Sequence, residues 1–341
     1  MARLEHYRIL GGLGSPYSMK MRAILRYRRL PYVWVQINDS HDAERAKVKP
    51  AIVPVIQFPD GSYRNDSTPM IYELESRHPD DRGIVPRDVG DAFLAYLIED
   101  MADEWGTKLM FHYRWFRERD QVRMSEWLAY DRAMGGGFDG IRSFAEFIRS
   151  RQVGRMALVG CTPQNAPVIE ETARRLLAIF ETHVLDRPYF FGSRPSLAEF
   201  GWYGQFSQLI VDPTPNDLLR EVAPFTVRWL MHLDDASGVE GAWRRSDEPL
   251  APAVEKLLAF AGEVYFPFLE ANARALRAGQ DRFTVELLGR PFAQGTFKYQ
   301  AHCLASLRRA YDELPPAARP RVDAILKRAG VLPFLTAPLP A

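Results

Sequence analysis

The chain has 341 residues, of which 47% are hydrophobic, and its 44 basic and 43 acidic residues leave a net charge of +1. That length is enough for two domains with a sizeable core, and the balanced charge argues against a broad nucleic-acid surface. Cys161 and Cys303 stand far apart, outside any metal or disulfide spacing, and there is neither a signal-peptide core nor an apolar run long enough to span a membrane, so a soluble, cytoplasmic protein without a metal site is expected.

Tyr7 to Leu10 reads as a first strand, followed by a helix beginning near Pro16. Ser15 suits the N-cap because its oxygen accepts from an orphan amide, and Pro16 suits the first helical position, where no donor is needed. Tyr17, Met21, Ile24 and Leu25 mark the inner face of this helix, while Lys20, Arg22, Arg26, Arg28 and Arg29 are expected on its wet side. A strand feeding a helix start offers free N–H groups and a positive dipole end to an anion, a thiolate included.

Tyr32 to Ile37 is a second strand, and Ser40 to Lys49 is polar and irregular. Val53 to Phe58 makes a third strand, turned at Asp60-Gly61, and Tyr63-Arg64 a fourth. Asp66-Ser67-Thr68-Pro69 starts a second helix with a capping side chain and a proline in its first turn; His78-Pro79-Asp80 ends it.

This β-α-β, β-β-α order, with Ser15-Pro16-Tyr17-Ser18, Val53-Pro54-Val55 and Asp66-Ser67-Thr68-Pro69, resembles the thioredoxin-like domain of the glutathione transferase superfamily. Thiol-using relatives carry Cys-Pro at the first turn; here both cysteine positions are serine, so the resemblance implies use of glutathione's thiol in place of the chain's own. It further implies a cis Pro54 with Val53 pairing through its backbone to the glutathione peptide. Asp66 and Ser67 would hold the γ-glutamyl end, the carboxylate meeting the ammonium and the helix start receiving the ligand carboxylate. Many relatives place a basic residue or Gln before the Val-Pro unit. Here that position is Ile52, and Lys49 is the nearby substitute.

Residues 82–91 read as a linker between a domain at 1–81 and a helical one at 92–341, in which 250–341 extends beyond the usual length of the family. Phe93, Leu94, Leu97, Ile98, Met101 and Trp105 form a core stripe, and Glu99, Asp100, Asp103 and Glu104 are expected on the opposite, solvated side. By resemblance, Asp100 or Asp103 is the acidic residue that in some relatives reaches the glutathione amine across a dimer. Trp105, Phe111 and Trp115 are candidate lining for an apolar pocket facing Ser15. Met134 to Gly140 reads as a flexible loop without a phosphate-loop ending. Ile169 to Val184 is an amphipathic helix, and Ser196 with Glu199 forms a capping box. In the extension, Val254 to Phe268 and Tyr299 to Leu314 keep helical spacing, with Phe283 to Leu287 a short strand between them.

The fold expected is therefore an α/β thioredoxin-like domain followed by an all-α domain with extra helices. The function expected is a homodimeric detoxification enzyme that activates glutathione, as co-substrate, for attack on a small hydrophobic electrophile. A free thiol titrates near 8.5, and a hydroxyl donor at a helix start supplies about one to two units of depression. Ser15 is the first candidate for that donor, with Ser18 and Tyr17 behind it. A non-catalytic binding or structural module is the alternative.

Overall fold

The computed structural model describes residues 5–79, 82–135 and 137–337; Asp80, expected at a helix end, and Gly136, expected in a loop, lie outside the described residues. The first unit contains β1 (Tyr7–Gly11), α1 (Pro16–Tyr27), β2 (Tyr32–Gln36), a one-turn α2 (Asp42–Arg45), β3 (Val55–Gln57), β4 (Tyr63–Arg64) and α3 (Ser67–Arg77). Its strands lie in the order β2-β1-β3-β4. β1 runs parallel to β2, with Ile9 opposite Trp34, and antiparallel to β3, with Ile9 opposite Ile56. This mixed sheet between helices is the thioredoxin-like layout. The turn into β4 is fixed by Gly61 at φ 83, by the Phe58 amide donating to the Ser62 carbonyl at 2.8 Å, and by Asp60 accepting from the Ser62 amide.

Helices follow: α4 (Val89–Met101), a π-helical turn over Ala102–Gly106, α5 (Thr107–Trp115), α6 (Glu118–Arg132), α7 (Gly137–Val153), α8 (Ala166–Asp186), α9 (Leu197–Leu209), α10 (Pro213–Val222) and α11 (Pro224–Asp234). The extension adds α12 (Pro252–Phe260), a second π turn (Ala261–Tyr265), α13 (Phe266–Arg277), β5 (Arg282–Leu287), β6 (Arg290–Gly295), α14 (Lys298–Asp312), α15 (Arg319–Arg328) and α16 (Leu332–Thr336). The strand expected near Phe283 is β5; its antiparallel partner β6 went unread, because Pro291 and polar residues interrupt the β pattern. The helical unit thus carries one hairpin. α4 starts at Val89, inside the expected linker, and α7 takes in Gly137 to Gly140 of the expected loop.

One apolar core runs through both units, joining Ile9, Ile24 and Leu74 to Leu97, Trp105 and Phe180 and on to Phe268 and Phe292 of the extension. At its centre is α9. A β-carbon on Gly204 would stand 2.8 Å from the Pro16 carbonyl oxygen, and one on Gly201 would stand 3.2 Å from the Glu99 α-carbon. These glycines let α9 press on the first turn of α1 and on α4 together. Its start is the expected box: the Ser196 amide donates to Glu199 Oε2 at 2.8 Å, and the other oxygen of Glu199 takes the Phe190 amide.

Two expectations about polarity are overturned. Lys20 and Arg28 are buried, as are Glu99, Asp100, Asp103 and Glu104. A charged stripe at helical spacing looks the same whether it meets water or partners from distant segments, and here it meets partners. Gly204→Ala should therefore destabilise the protein by about 1–3 kcal/mol through overpacking, despite alanine's better helix propensity, read as a lower urea midpoint with an unchanged m-value.

Candidate functional site

Several short segments converge on a cavity of about 420 Å³. Its walls come from Tyr17 at the first turn of α1, the Lys49–Pro54 segment before β3, the Asn65–Thr68 start of α3, and the acidic face of α4 and its π turn. The extension adds Phe297, Tyr299 and Cys303.

The peptide groups facing this region are available for a ligand. The Val53–Pro54 bond is cis, as is Lys49–Pro50, and neither the N–H nor the C=O of Val53 has a partner among the described residues. At the start of α3, Pro69 has no donor and Met70 closes the first helical bond to the Asp66 carbonyl at 3.2 Å; the Ser67 and Thr68 amides have no acceptor among the described residues. Asp66 holds φ 71, a left-handed conformation uncommon outside glycine. It occupies the cap position without capping, a correction to the sequence reading: its Oδ2 accepts from the Tyr299 hydroxyl at 2.9 Å.

At the other helix start, Ser15 Oγ accepts from the Ser18 amide at 3.3 Å, which leaves the serine's own proton free to donate. The Tyr17 amide is the first-turn donor with no acceptor among the described residues. Behind this turn, the buried Arg114 guanidinium donates to the Gly14 carbonyl at 2.7 Å, to Asp212 at 2.9 Å and to Gln208 at 2.7 Å, while Gln208 itself donates to the Leu13 carbonyl. Arg114 had no signal in the sequence; nothing local distinguishes it from the other arginines of α5 and α6.

Under the cavity lies the Lys20 ammonium, with no exposed surface. It donates to Asp103 Oδ2 at 2.7 Å, to Ser67 Oγ at 3.2 Å and to Glu99 Oε1. Thr68 Oγ1 also donates to Glu99, at 2.7 Å. One ammonium faces two carboxylates. Lys20 is accordingly held charged, its pKa raised by Asp103 and Glu99 against burial, and burial outweighs the lysine at Asp103, whose carboxyl is pushed up to about 7. Glu104 is also pushed up by burial to about 7, against the opposing pull of Lys108, and Asp100 is raised far above the usual range by burial while accepting from Tyr265 at 2.5 Å. Burial thus makes Asp100, Asp103 and Glu104 acids that hold protons more readily than exposed carboxyls do.

The structure thus brings Lys49, Val53, Pro54, Asp66, Ser67 and Tyr17 around one cavity. Other expected site residues stand elsewhere. Ser18 is buried, with its hydroxyl turned toward the backbone of Gly11. Tyr17 keeps its hydroxyl occupied, donating to the Asp103 carbonyl at 2.9 Å, and burial raises its pKa well above normal, so it stays a phenol. Trp105 and Trp115 are core residues and do not line the cavity: Trp105 donates to Thr172 at 3.3 Å and packs on Phe268 and Phe292, side chains of the extension that fill the space where a pocket was expected. Phe111 is half-buried against Trp115. Ile52 is 60% exposed on the cavity rim. Asp103, expected to reach a ligand in a partner chain, meets Ser67 of its own chain at 3.3 Å. Nothing in the sequence of the extension marks Tyr299 or Cys303 as more than helix positions, because the residues they meet at the cavity stand far upstream, Asp66 in the case of Tyr299.

Residues 11–82 match the family model described as the glutathione S-transferase N-terminal domain. A search of curated proteins finds no match to the sequence. Among solved structures, a glutathione S-transferase from Methylobacterium radiotolerans in complex with glutathione sulfonate aligns at 18% identity and TM-score 0.40, over 72% of this chain and 99% of that one. The β-etherase LigF from a Sphingobium strain aligns at 17% identity and TM-score 0.47, over 74% and 98%. The glutathione transferase GSTFuA3 from Phanerochaete chrysosporium aligns at 16% identity and TM-score 0.47, over 70% and 99%. Among the described residues no helix is long and apolar enough to cross a membrane, and no group of side chains is arranged to hold a metal.

The Lys20 cluster sets a pH dependence. The Asp103 carboxyl titrates near 4 when unfolded and about 7 when folded, so the folded state holds the extra proton in between, and this group's contribution to stability falls as pH rises through that window. Asp103→Asn should gain stability relative to the parent by up to about 1.4 kcal/mol per pH unit across it, read from urea midpoints between about pH 5 and about pH 8. Lys20→Met, which strands two buried carboxylates, should cost about 3–5 kcal/mol at the alkaline end and less at the acid end, where the carboxylates take protons.

Proposed function

We propose that the chain is a glutathione transferase-like enzyme, which binds glutathione across the cavity and activates its thiol for attack on an apolar electrophile. The observation that carries this reading is the free Val53 peptide edge lying beside the unpaired Ser67 and Thr68 amides and the Asp66 carboxylate. An extended peptide completes the Val53 edge by strand-like pairing. A ligand carboxylate satisfies the two amides at the positive end of α3, and an ammonium pairs with Asp66. A cavity of about 420 Å³ suits a small peptide. The family match over residues 11–82 contains all of these residues and supports the same reading.

Thiol activation is assigned to the first turn of α1. The Ser15 hydroxyl and the Tyr17 amide donate to the sulfur, and the helix dipole favours the anion. The thiolate then attacks the electrophilic carbon, forming the C–S bond as the leaving group departs with the electron pair or the double bond takes up a proton. Ser18 has no part, because its hydroxyl faces β1.

One observation favours a second reading, a binding module without catalysis. At the rim, where a basic residue would meet the second ligand carboxylate, stands the exposed Ile52, and Lys49 on the same wall is left to supply that charge.

Calorimetric titration with reduced glutathione should give saturable binding, weakened about tenfold or more by Asp66→Ala and by Ser67→Ala. No binding at millimolar glutathione would reject the reading. With a generic aromatic electrophile, Ser15→Ala should lower kcat/KM by about ten- to a hundredfold and raise the apparent pKa of the rate profile, with the fold intact by circular dichroism. Binding that persists with no turnover by the parent protein would select the module.

A further inference from the structure

At the start of α14, the N-cap Phe297 and the first turn through Gln300 are anchored beside the cavity by hydrogen bonds. Asn272 clamps Phe297 from both sides, its amide donating to the Phe297 carbonyl at 2.9 Å and its oxygen accepting from the Phe297 amide at 2.8 Å. Gln300 accepts from Gln294 of β6 at 3.2 Å. Between these anchors Tyr299 points its hydroxyl at Asp66 Oδ2, 2.9 Å away. The other carboxylate oxygen of Asp66 has no donor among the described residues. The cavity keeps its 420 Å³ with Tyr299 in place, so the tyrosine is a wall and not a plug.

We propose that Tyr299 is a positioning residue that aims the Asp66 carboxylate at a ligand's ammonium, so that the extension makes the site selective for thiol peptides with a free α-amino group. The proposal rests on the glutathione reading above and names what the extension adds to it. The Asp66 carboxylate accepts from no donor but Tyr299 among the described residues, so without that bond it is free to rotate toward water. A phenol bonded to one oxygen removes that freedom and presents the second oxygen, with its free lone pairs, to the cavity. Partial burial and the Asp66 charge raise the Tyr299 pKa, so the phenol remains a donor.

The test compares the parent and Tyr299→Phe, which loses only the hydroxyl of a side chain that is 43% exposed. Each is titrated with reduced glutathione and with its deamino analogue, glutaryl-cysteinylglycine. The expected result is about tenfold weaker binding of glutathione by Y299F, with binding of the deamino analogue unchanged. Equal losses for both ligands would overturn the proposal in favour of a general wall. Unchanged or tighter glutathione binding by Y299F would overturn it in favour of no role or of a latch. A thermal double-mutant cycle of Y299F with Asp66→Asn, run without ligand, should show non-additivity of about 1–2 °C. If the cycle couples while the parent binds neither peptide, the glutathione reading fails and the selectivity falls with it; additive effects overturn the Tyr299 contact whatever the ligand.

Discussion

The buried Lys20 ammonium is the constraint on which the rest of the site depends. It comes from the second turn of α1, touches Ser67 at the start of α3, and is held by Glu99 and Asp103 from α4 and its π turn. Taking an ammonium and two carboxylates out of water costs several kcal/mol per ion, and the cost is offset only where the geometry leaves few of their hydrogen-bonding positions empty. One position of Lys20 therefore fixes three helices relative to one another. Because Tyr17 lies just upstream of Lys20, and Asp66 just upstream of Ser67, the same ammonium sets the separation between the two helix starts whose residues line the cavity. The thiol end and the carboxylate end of the proposed ligand site are spaced by a structural ion cluster that the carboxylate end joins through the Ser67 and Thr68 hydroxyls.

The parts of this arrangement that were legible in the sequence are those decided by local chemistry. Ser15-Pro16, Asp60-Gly61 and Ser196 with Glu199 are turn and cap signals whose meaning lies within a few residues, and each forms where it was read. The alternating strands and the apolar stripe from Phe93 to Trp105 were legible for the same reason. Partners were not. Periodicity set Lys20 apart from Met21 and Ile24 and set Glu99 to Glu104 apart from the core stripe, but it gave both sides to solvent, where the structure buries them. It could not say that these two polar sides face each other. The π turn at Ala102–Gly106 adds to the difficulty, since it changes the angular step within the stripe and brings Asp103 and Glu104 to the cavity beside Asp100.

The serine turn is held from behind by groups that equally escaped the sequence. Arg114 and Gln208 bind the carbonyls of Gly14 and Leu13, and Leu128 of α6 packs where a β-carbon on Gly14 would stand. A turn clamped at two successive carbonyls has little freedom to move when charge develops in front of it. Preorganisation of this kind lets a modest donor such as a serine hydroxyl act on a thiolate without first paying for its own ordering. It also separates the two serines: with the carbonyls fixed, Ser15 stays at the helix start, and Ser18 falls one turn in, against Gly11.

The extension changes the character of the site more than its distance along the chain suggests. Phe268 and Phe292 seal the side of Trp105, which removes the aromatic pocket expected there, while Phe297 and Tyr299 stand half-exposed at the mouth of the cavity. The exposed apolar surface at the cavity is therefore the rim formed by Phe297, Tyr299 and Ile52, and in the proposed reaction a second substrate meets it there and not on the α4–α5 side. Under that reading Ile52 contributes, in place of a charge, an exposed apolar side chain to the same cavity as the two exposed rings. In the proposed reaction, a residue that offers no charge to a ligand carboxylate offers apolar surface to an electrophile.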